Sequence, residues 1–164
     1  MIIEELTLDS FGALRGKAYS FQPGLNVLLG PNEAGKSTLV NALFAVLFLP
    51  PDLRRSSEDW KNFLARCLPY PGGDTCRVSL RFRDAAGRRC TYTCSWGGRR
   101  EARLLLEDGA EVNEPAAVRE QLQRALAHGR ATYEAVLFAR QDEMERTLER
   151  LRRDHPDAER VESS

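Results

Sequence analysis

The apolar residues at the N-terminus alternate with polar ones, which is typical of a strand. Between Ile2 and Leu8 apolar side chains recur among acids, and this predicts a strand with one wet face. Phe11 and Gly12 turn the chain, and a second short strand is predicted around Tyr19 to Phe21. The chain therefore opens with two short strands separated by a turn.

A more continuous apolar run follows from Leu25 to Leu29, broken only by Asn26. Such a run predicts a strand that is buried on both faces, as in a parallel sheet. From about Lys36 to Phe48 apolar residues recur at helical spacing, which predicts a helix that Pro50 and Pro51 end. The predicted strand and helix flank residues 30–37.

The rest of the chain predicts a loop, a meander and helices. Residues 52–74 contain prolines and glycines near their end, and they predict a loop with one helical turn around residues 60–64. Apolar and polar residues alternate from 77 to about 112 between turn signals, which predicts an antiparallel meander. Helices are predicted over about 115–139, and the tail 142–164 is charged with a helical pattern.

These elements predict an α/β fold whose mixed sheet carries the meander, with one lobe over residues 1–141 and the tail after it. In the tail, Met144, Leu148 and Leu151 have the spacing of a coiled-coil seam for little more than one heptad. The tail is therefore either a solvated helix or the root of a coiled coil.

Composition excludes some classes of function. The 24 basic and 24 acidic side chains cancel, so contact with DNA would need a local patch. The four cysteines form no C-x-x-C pair and have no histidines at ligand spacing, which predicts buried reduced thiols in place of a zinc site. Because the N-terminus lacks a basic start and no apolar run is long enough to span a membrane, we expect a cytoplasmic protein without a membrane partner.

The motif that carries chemistry satisfies the P-loop pattern G-x-x-x-x-G-K-[ST] at every position and lies between the predicted strand and helix. Its glycines let backbone N–H groups wrap phosphate oxygens, and the helix dipole adds positive charge. Lys36 can reach the β- and γ-phosphates, and the Ser37 hydroxyl suits Mg²⁺. The sequence therefore predicts a site for ATP and Mg²⁺. Its residues are Gly30, Pro31, Asn32, Glu33, Ala34, Gly35, Lys36 and Ser37.

This P-loop begins 30 residues into the chain, after two strands and Phe11-Gly12, and continues into Thr38. In these features the chain resembles the N-terminal half of SMC-like ATPase heads of the SbcC, RecN and RecF type, and most closely the YhaN branch of AAA-type repair ATPases. The resemblance is tight over residues 2–48 and looser beyond them. It implies a split head, in which a C-terminal half beyond a long coiled coil supplies the signature motif and Walker B.

The resemblance also implies roles for single residues. Lys36 and Ser37 would hold the phosphates and Mg²⁺, Thr38 would contact an inner phosphate, and Asn32 would lie near the γ-phosphate. Gln141 resembles the Q-loop glutamine that reaches the metal and the attacking water, although a solvated glutamine on a charged helix is the alternative.

The implied partners are the C-terminal half of the head and a second head, which would sandwich ATP between them. DNA is expected as a partner by resemblance to repair ATPases, and a nuclease partner is left open. Ser10 stands where related heads often have an asparagine, so the contacts to adenine stay unassigned.

Hydrolysis needs a carboxylate that positions water, and Walker B normally supplies it at the end of a buried strand. The nearest candidate, Leu104 to Asp108, continues as a hairpin would, and Ser95 to Arg99 resembles a signature motif but ends a strand. The chain alone is therefore expected to bind ATP without turnover. The run from Leu25 to Leu29 also lacks a parallel neighbour, so we expect an open edge and a chain that is marginally stable or depends on a C-terminal counterpart.

Other features have two interpretations. The arginines of the strand from Arg77 to Arg83, and those at the neighbouring turns, could track a phosphate backbone or form a solvated strand face. Trp60 and Trp96 are expected to anchor the core or a loop, and His128 to lie at a helix end.

Three other functions stay open from the sequence. A small P-loop kinase or stand-alone NTPase would need an arginine-rich lid and a carboxylate at the acceptor site. A nucleotide-binding module would bind ATP and never turn it over. A transporter ATPase subunit is disfavoured because no aromatic residue clearly precedes the first strand to stack on adenine.

Overall fold

A computed structural model describes residues 1–29, 31 and 35–136 of the chain. Backbone contacts group Met1–Ala127 into one compact unit, and the residues from His128 onward belong to a second. The described strands are β1 (Ile2–Phe11), β2 (Leu14–Ser20), β3 (Thr75–Arg83), β4 (Arg89–Gly97), β5 (Glu101–Leu106) and β6 (Glu111–Val112). The described helices are α1 (Lys36–Phe48), α2 (Glu58–Asn62), α3 (Pro115–Ala125) and α4 (Arg130–Val136), with a 3₁₀ turn at Leu64–Cys67.

The six described strands form one sheet in the order β2-β1-β3-β4-β5-β6, and every pair is antiparallel. The prediction of a meander is confirmed, whereas the prediction of a mixed sheet is wrong for the described residues. α1 packs against β1 and β3, and α3 packs against β5. One face of the sheet therefore forms the core, and the other face carries charged residues.

The two N-terminal strands were predicted, but both are longer than expected. β1 continues beyond Leu8 to Phe11, which is fully buried although it breaks the alternation, because the pairing with β3 shifts register between Leu8 and Ser10. Gly12 turns the chain with a φ of 58°, a left-handed value that glycine adopts without strain. β2 then starts at Leu14, ahead of the predicted start at Tyr19, and pairs with β1 along its length.

The predicted strand from Leu25 to Leu29 is wrong. These residues form no strand, and their apolar side chains are exposed, Leu25 by 90% and Leu29 by 86%. The Asn26 side chain instead closes a local turn, because its amide oxygen accepts from Gln22 N–H and its amide nitrogen donates to the carbonyl oxygen of Gln22. No described strand lies beside this run as a parallel neighbour, so nothing in the described chain buries it.

α1 forms where the helical spacing predicted it. Its inner residues pack on the sheet, and they are Leu39, Ala42, Phe44, Ala45 and Val46. Val40, on the outer side, is 46% exposed although it is apolar. A helix that is apolar on more than one side usually has neighbours on more than one side.

The meander buries one set of side chains and exposes the other, as the alternation predicted. The buried residues of β4 include Cys90, Tyr92, Cys94 and Trp96, and Trp96 is only 1% exposed. The four cysteines are buried free thiols, as predicted. Burial raises the pKa of the Cys67 thiol to about 11 and that of Cys76 to about 12, which keeps them protonated and unreactive at neutral pH.

The loop at residues 52–74 contains the predicted helical turn, since α2 and the 3₁₀ turn bury Trp60 and Leu64.

α3 begins at Pro115 as predicted but ends at Ala125, so His128 lies three residues beyond the helix and does not cap it. The predicted tail at 142–164 lies outside the described residues, and the domain boundary at 141 stays a prediction.

Candidate nucleotide-binding site

The start of α1 is arranged as an anion-binding helix terminus. Gly35 precedes the helix with φ 86° and ψ 14°, a left-handed conformation that a side chain would strain. No side chain caps this helix, and its first turn contains no acid. The N–H groups of a first turn have no intrahelical acceptor. An anion at this position therefore meets uncapped amides and the positive end of the helix dipole, and the first turn of α1 places no carboxylate against it.

Lys36 lies at the first position of α1, and its ammonium Nζ donates a hydrogen bond of 2.7 Å to the carbonyl oxygen of Pro31. The lysine side chain therefore points back toward Pro31, which precedes the helix in the chain. Ser37 is exposed and Thr38 is half-buried, so the Ser37 hydroxyl is accessible to a ligand at the helix start. Gly30, Asn32, Glu33, Ala34 and Gln141 lie outside the described residues.

The turn between β1 and β2 packs against this helix start. A Cβ atom on Gly12 would lie 3.1 Å from Thr38 Cγ2, and one on Gly35 would lie 3.0 Å from Leu14 Cδ2. Both distances are shorter than ordinary contacts between carbon atoms, so a Cβ atom at either glycine would require Thr38 or Leu14 to shift by a few tenths of an ångström. The hairpin turn and the P-loop helix are thus in close contact at two points.

The end of the 52–74 loop holds the same turn from its other side. Gly12 N–H donates to the carbonyl oxygen of Cys67 over 2.7 Å, and Tyr70 N–H donates to the carbonyl oxygen of Gly12 over 3.1 Å. The Arg15 guanidinium donates to the carbonyl oxygen of Gly72 over 2.9 Å. Residues 67–72 and the hairpin turn therefore form one hydrogen-bonded layer beside the helix start.

The sequence motif indicates the site but not its neighbours Gly12, Leu14 and Tyr70. The glycine in the turn at Phe11-Gly12 is the one local signal in the sequence, and its positive φ in the structure accounts for it. The contacts themselves join residues that are far apart in the chain, such as Gly12 with Tyr70. No periodic pattern encodes such contacts.

The described residues offer one hydroxyl oxygen of a kind that suits Mg²⁺ at the start of α1. Within residues 1–29, 31 and 35–136, no three histidine, cysteine, aspartate or glutamate side chains gather as a metal site. Mg²⁺ is commonly held by one or two protein oxygens together with substrate phosphates. The exposed Ser37 hydroxyl beside an uncapped helix start provides one such oxygen.

The arginines on the exposed face of the sheet are paired with acids. Glu4 contacts Arg83 at 2.7 Å and Arg89 at 2.9 Å. Glu5 contacts Arg81, and Arg77 contacts both Asp9 and Glu101. Hydrogen bonds and charge from Arg89 and Arg83 lower the pKa of the Glu4 carboxyl. Because these arginines already have carboxylate partners, the geometry favours a solvated, ion-paired face over one that tracks a phosphate backbone.

The two candidate motifs for hydrolysis are turns, as predicted. Leu104 to Asp108 ends β5 and leads into β6 through a turn at Asp108 and Gly109. Ser95 to Gly97 ends β4, and Gly98 N–H donates to the carbonyl oxygen of Asp74. A Cβ atom on Gly97 would clash with that same oxygen, which explains the glycine. Neither segment supplies a hydrolytic carboxylate or opens a helix.

No helix in the described part of the chain combines the length and the apolar character that a membrane crossing requires.

Comparison with solved structures identifies the fold. A structure from work on ATP-driven dimerization and DNA-stimulated activation of SMC ATPases matches 94% of this chain and 98% of its own, with a TM-score of 0.57 and 17% identity. The recombination mediator protein RecF with ATP matches 71% of this chain and 29% of its own, with a TM-score of 0.51 and 17% identity. The predicted fold class, the N-terminal lobe of an SMC-type P-loop ATPase head, is thereby confirmed.

Comparison with curated sequences and family models agrees with that fold. DNA replication and repair protein RecF of Limosilactobacillus fermentum is 35% identical over 71 residues. The match covers 40% of this chain and 18% of that relative, so the chain aligns with less than a fifth of the length of this RecF. A family model described as an AAA domain matches residues 5–161, which is nearly the whole chain. The predicted resemblance is confirmed, and the chain belongs to this AAA domain family, AAA_23.

Proposed function

We propose that this chain is the ATP-binding N-terminal part of an SMC-like ATPase head and binds ATP together with Mg²⁺. The observation that carries the proposal is the start of α1, where left-handed Gly35 leads into a helix that has no side-chain cap and no acid in its first turn. Lys36 and the accessible Ser37 stand at that start. Uncapped amides, a dipole and a lysine are the groups that bind a triphosphate.

Each residue of the site has a proposed role. The amides around Gly35 and the ammonium of Lys36 bind the β- and γ-phosphates, and the Ser37 hydroxyl is a ligand of Mg²⁺. Thr38 contacts an inner phosphate from the first turn of α1. Asn32 near the γ-phosphate, the other loop residues from Gly30 to Ala34, and Gln141 as the Q-loop residue are proposed from the family resemblance.

We further propose that the head needs a second polypeptide segment to complete it. The run from Leu25 to Leu29 is apolar, exposed and directly precedes the P-loop, and Val40 on the outer side of α1 is exposed as well. A parallel strand beside this run would satisfy its backbone and bury its side chains. The segment proposed for this place is the C-terminal half of the head, which also supplies Walker B and the signature motif.

ATP hydrolysis, a second head and DNA enter the proposal through the relatives. The matched structure comes from work on the ATP-driven dimerization and DNA-stimulated activation of SMC ATPases. The matched RecF is a DNA replication and repair protein. We propose that two completed heads sandwich ATP, that the isolated chain does not turn it over, and that the complete protein acts on DNA.

Calorimetric titration tests the nucleotide site. Wild-type chain is titrated with ATP in excess Mg²⁺ and compared with Lys36→Ala and with Lys61→Ala, a matched change of an exposed lysine on α2. Lys36→Ala should weaken binding by about 10-fold or more, since hydrogen bonds to charged groups contribute roughly 1.5–3 kcal/mol. Lys61→Ala should bind like wild type. No heat with wild type, or equal affinity for Lys36→Ala, would overturn the proposal.

The need for a completing segment has its own test. Sedimentation and thermal unfolding of the isolated chain should show self-association or a low transition temperature, and Val27→Lys should reduce the association. Leu105→Lys, at another exposed apolar residue, should not reduce it. A monodisperse wild-type monomer with cooperative, native-like unfolding would contradict this part of the proposal. Transfer of phosphate to a small acceptor by the chain alone would instead support a small kinase.

A further inference from the structure

We infer that Tyr70 forms the surface on which the base of the bound nucleoside triphosphate stacks, an inference that rests on the proposed ATP site. In the part of the chain that the structure describes, Tyr70 is the aromatic residue among the exposed large hydrophobic side chains, with 78% of its surface accessible. Aromatic rings usually bury most of their surface. An exposed ring beside a ligand site is therefore a candidate contact for that ligand.

The backbone that carries this ring is held on both sides. Tyr70 N–H donates to the carbonyl oxygen of Gly12, and Gly12 N–H donates in turn to the carbonyl oxygen of Cys67. On the other side, the Arg15 guanidinium donates to the carbonyl oxygen of Gly72 over 2.9 Å. Because this backbone is already held, a ligand that binds the ring has to order only the Tyr70 side chain, and a tyrosine has just two χ angles to fix.

The ring is carried on the layer that borders the phosphate site. Gly12, which accepts the bond from Tyr70, approaches Thr38 so closely that a Cβ atom would lie 3.1 Å from Thr38 Cγ2. Thr38 lies in the first turn of α1, the turn to which the phosphates are proposed to bind. If the inner phosphate binds at Thr38, the nucleoside attached to it extends along the turn at Gly12. Tyr70, whose N–H is bonded to Gly12, lies next to that turn.

The chemistry of the surrounding groups favours a base over a phosphate at this point. The protein groups that bind phosphate are mainly cations and N–H donors. The side chain of Tyr70 instead offers the apolar face of a phenol ring and one hydroxyl group. The nearby cation, Arg15, already donates to the carbonyl oxygens of Pro71 and Gly72. Every nucleobase has a π face that stacks on an aromatic ring, and a purine presents the larger one. We therefore assign a purine base to this surface.

The test separates binding of the base from binding of the phosphates. Wild type, Tyr70→Ala and Tyr70→Phe are titrated, in excess Mg²⁺, with ATP and with inorganic tripolyphosphate, which has no base. Leu105→Ala serves as a matched change of another exposed apolar residue. Tyr70→Ala should weaken ATP binding about 10-fold and change tripolyphosphate binding by less than about twofold, within the range measured for base stacking. Tyr70→Phe and Leu105→Ala should bind both ligands like wild type.

Arg15→Ala provides a second variant that leaves the ring intact. It removes the bonds to Pro71 and Gly72, and so it should loosen the segment that carries Tyr70 and weaken ATP binding by less than Tyr70→Ala does. The temperature of unfolding of Tyr70→Ala should match wild type because the side chain is exposed.

The outcomes distinguish this inference from the proposed function. If Lys36→Ala abolishes ATP binding but Tyr70→Ala leaves it unchanged, the ATP site stands and the assignment of Tyr70 is wrong. If Tyr70→Ala weakens ATP and tripolyphosphate equally, the residue supports the phosphate site and the assignment is again wrong. If wild type binds neither ligand, both proposals are wrong.

Discussion

The indole N–H of Trp96 donates a hydrogen bond of 2.9 Å to the carbonyl oxygen of Pro50. Trp96 is a core residue of β4, and Pro50 follows the last turn of α1, so this bond links the sheet to the C-terminal end of the P-loop helix. The bond is partly buried, and without it the carbonyl oxygen of Pro50 would keep only the bond from Leu53 N–H.

Trp96→Phe should therefore destabilise the chain more than the same change at the other tryptophan. It removes the N–H donor and leaves a cavity, and we expect the free energy of unfolding to fall by about 2 kcal/mol or more. Trp60→Phe is the control, because Trp60 is buried at 7% exposure and stacks beneath Arg55. Urea unfolding followed by circular dichroism measures both. A larger loss for Trp60→Phe would contradict the role given to the Trp96 bond.

Two glycines with nearly equal φ values provide a matched test of the contact between hairpin and P-loop helix. Gly12 has φ 58° and Gly16 has φ 59°, but a Cβ atom on Gly12 would meet Thr38, whereas one on Gly16 would meet nothing within 4 Å. Gly16→Ala should cost only the left-handed strain of about 1–2 kcal/mol. Gly12→Ala should cost more and should also weaken ATP binding because it displaces Thr38. Equal effects of the two changes on ATP affinity would show that the contact does not position the helix.

Ser95 carries a buried hydroxyl without a hydrogen-bond partner among the described residues. Its cross-strand neighbours Arg77 and Glu101 form an ion pair with each other, and this pair covers it. Ser95→Ala should raise the free energy of unfolding by up to about 1 kcal/mol, since it removes a polar group that is desolvated without compensation.

Ser79→Ala is the control for that change. The Ser79 hydroxyl shares a hydrogen bond of 2.9 Å with the Thr93 hydroxyl on the same face. The substitution should lower the free energy of unfolding by about 1 kcal/mol. Denaturant unfolding of both variants decides between the two expectations, and a loss of stability in Ser95→Ala would mean that its hydroxyl has a partner in solution.

The ion pairs of Glu4 predict a loss of stability in acid. The pKa of Glu4 is lowered in the folded chain, so its pairs with Arg89 and Arg83 contribute stability that is complete above the unfolded pKa of about 4.3 and is lost as the pH falls through the folded value. Glu4→Gln should therefore be less stable than wild type at pH 7, and the difference should shrink below about pH 4. Unfolding midpoints of wild type and Glu4→Gln between pH 7 and pH 3.5 measure the difference, and a difference that stays constant over this range would contradict the prediction.

Local patterns in the sequence predicted the elements that local contacts stabilise. The helical spacing from Lys36 to Phe48 and the alternation of the meander correspond to α1 and to β3–β5. The P-loop motif was recognised for the same reason, because its chemistry depends on the types and spacing of eight consecutive residues. These features need no knowledge of distant residues.

The parts that could not be predicted depend on contacts between distant segments. The run from Leu25 to Leu29 has the composition of a buried strand, but a strand forms only beside a partner, and the described chain offers none. Ser95 lies on the polar side of β4, yet it is fully buried because its cross-strand neighbours Arg77 and Glu101 pair with each other. The bond between Tyr70 and Gly12 likewise joins residues whose proximity no periodicity reveals.

The position of Leu25 to Leu29 immediately before the P-loop has a thermodynamic consequence. A polypeptide that pairs with this run fixes the chain directly ahead of the loop, and a triphosphate at the start of α1 fixes the chain directly behind it. Two ligands that each restrain the same short backbone segment lower each other's entropic cost of binding. Because such coupling is reciprocal, nucleotide should tighten the association of the completing segment by the same factor by which that segment tightens retention of nucleotide.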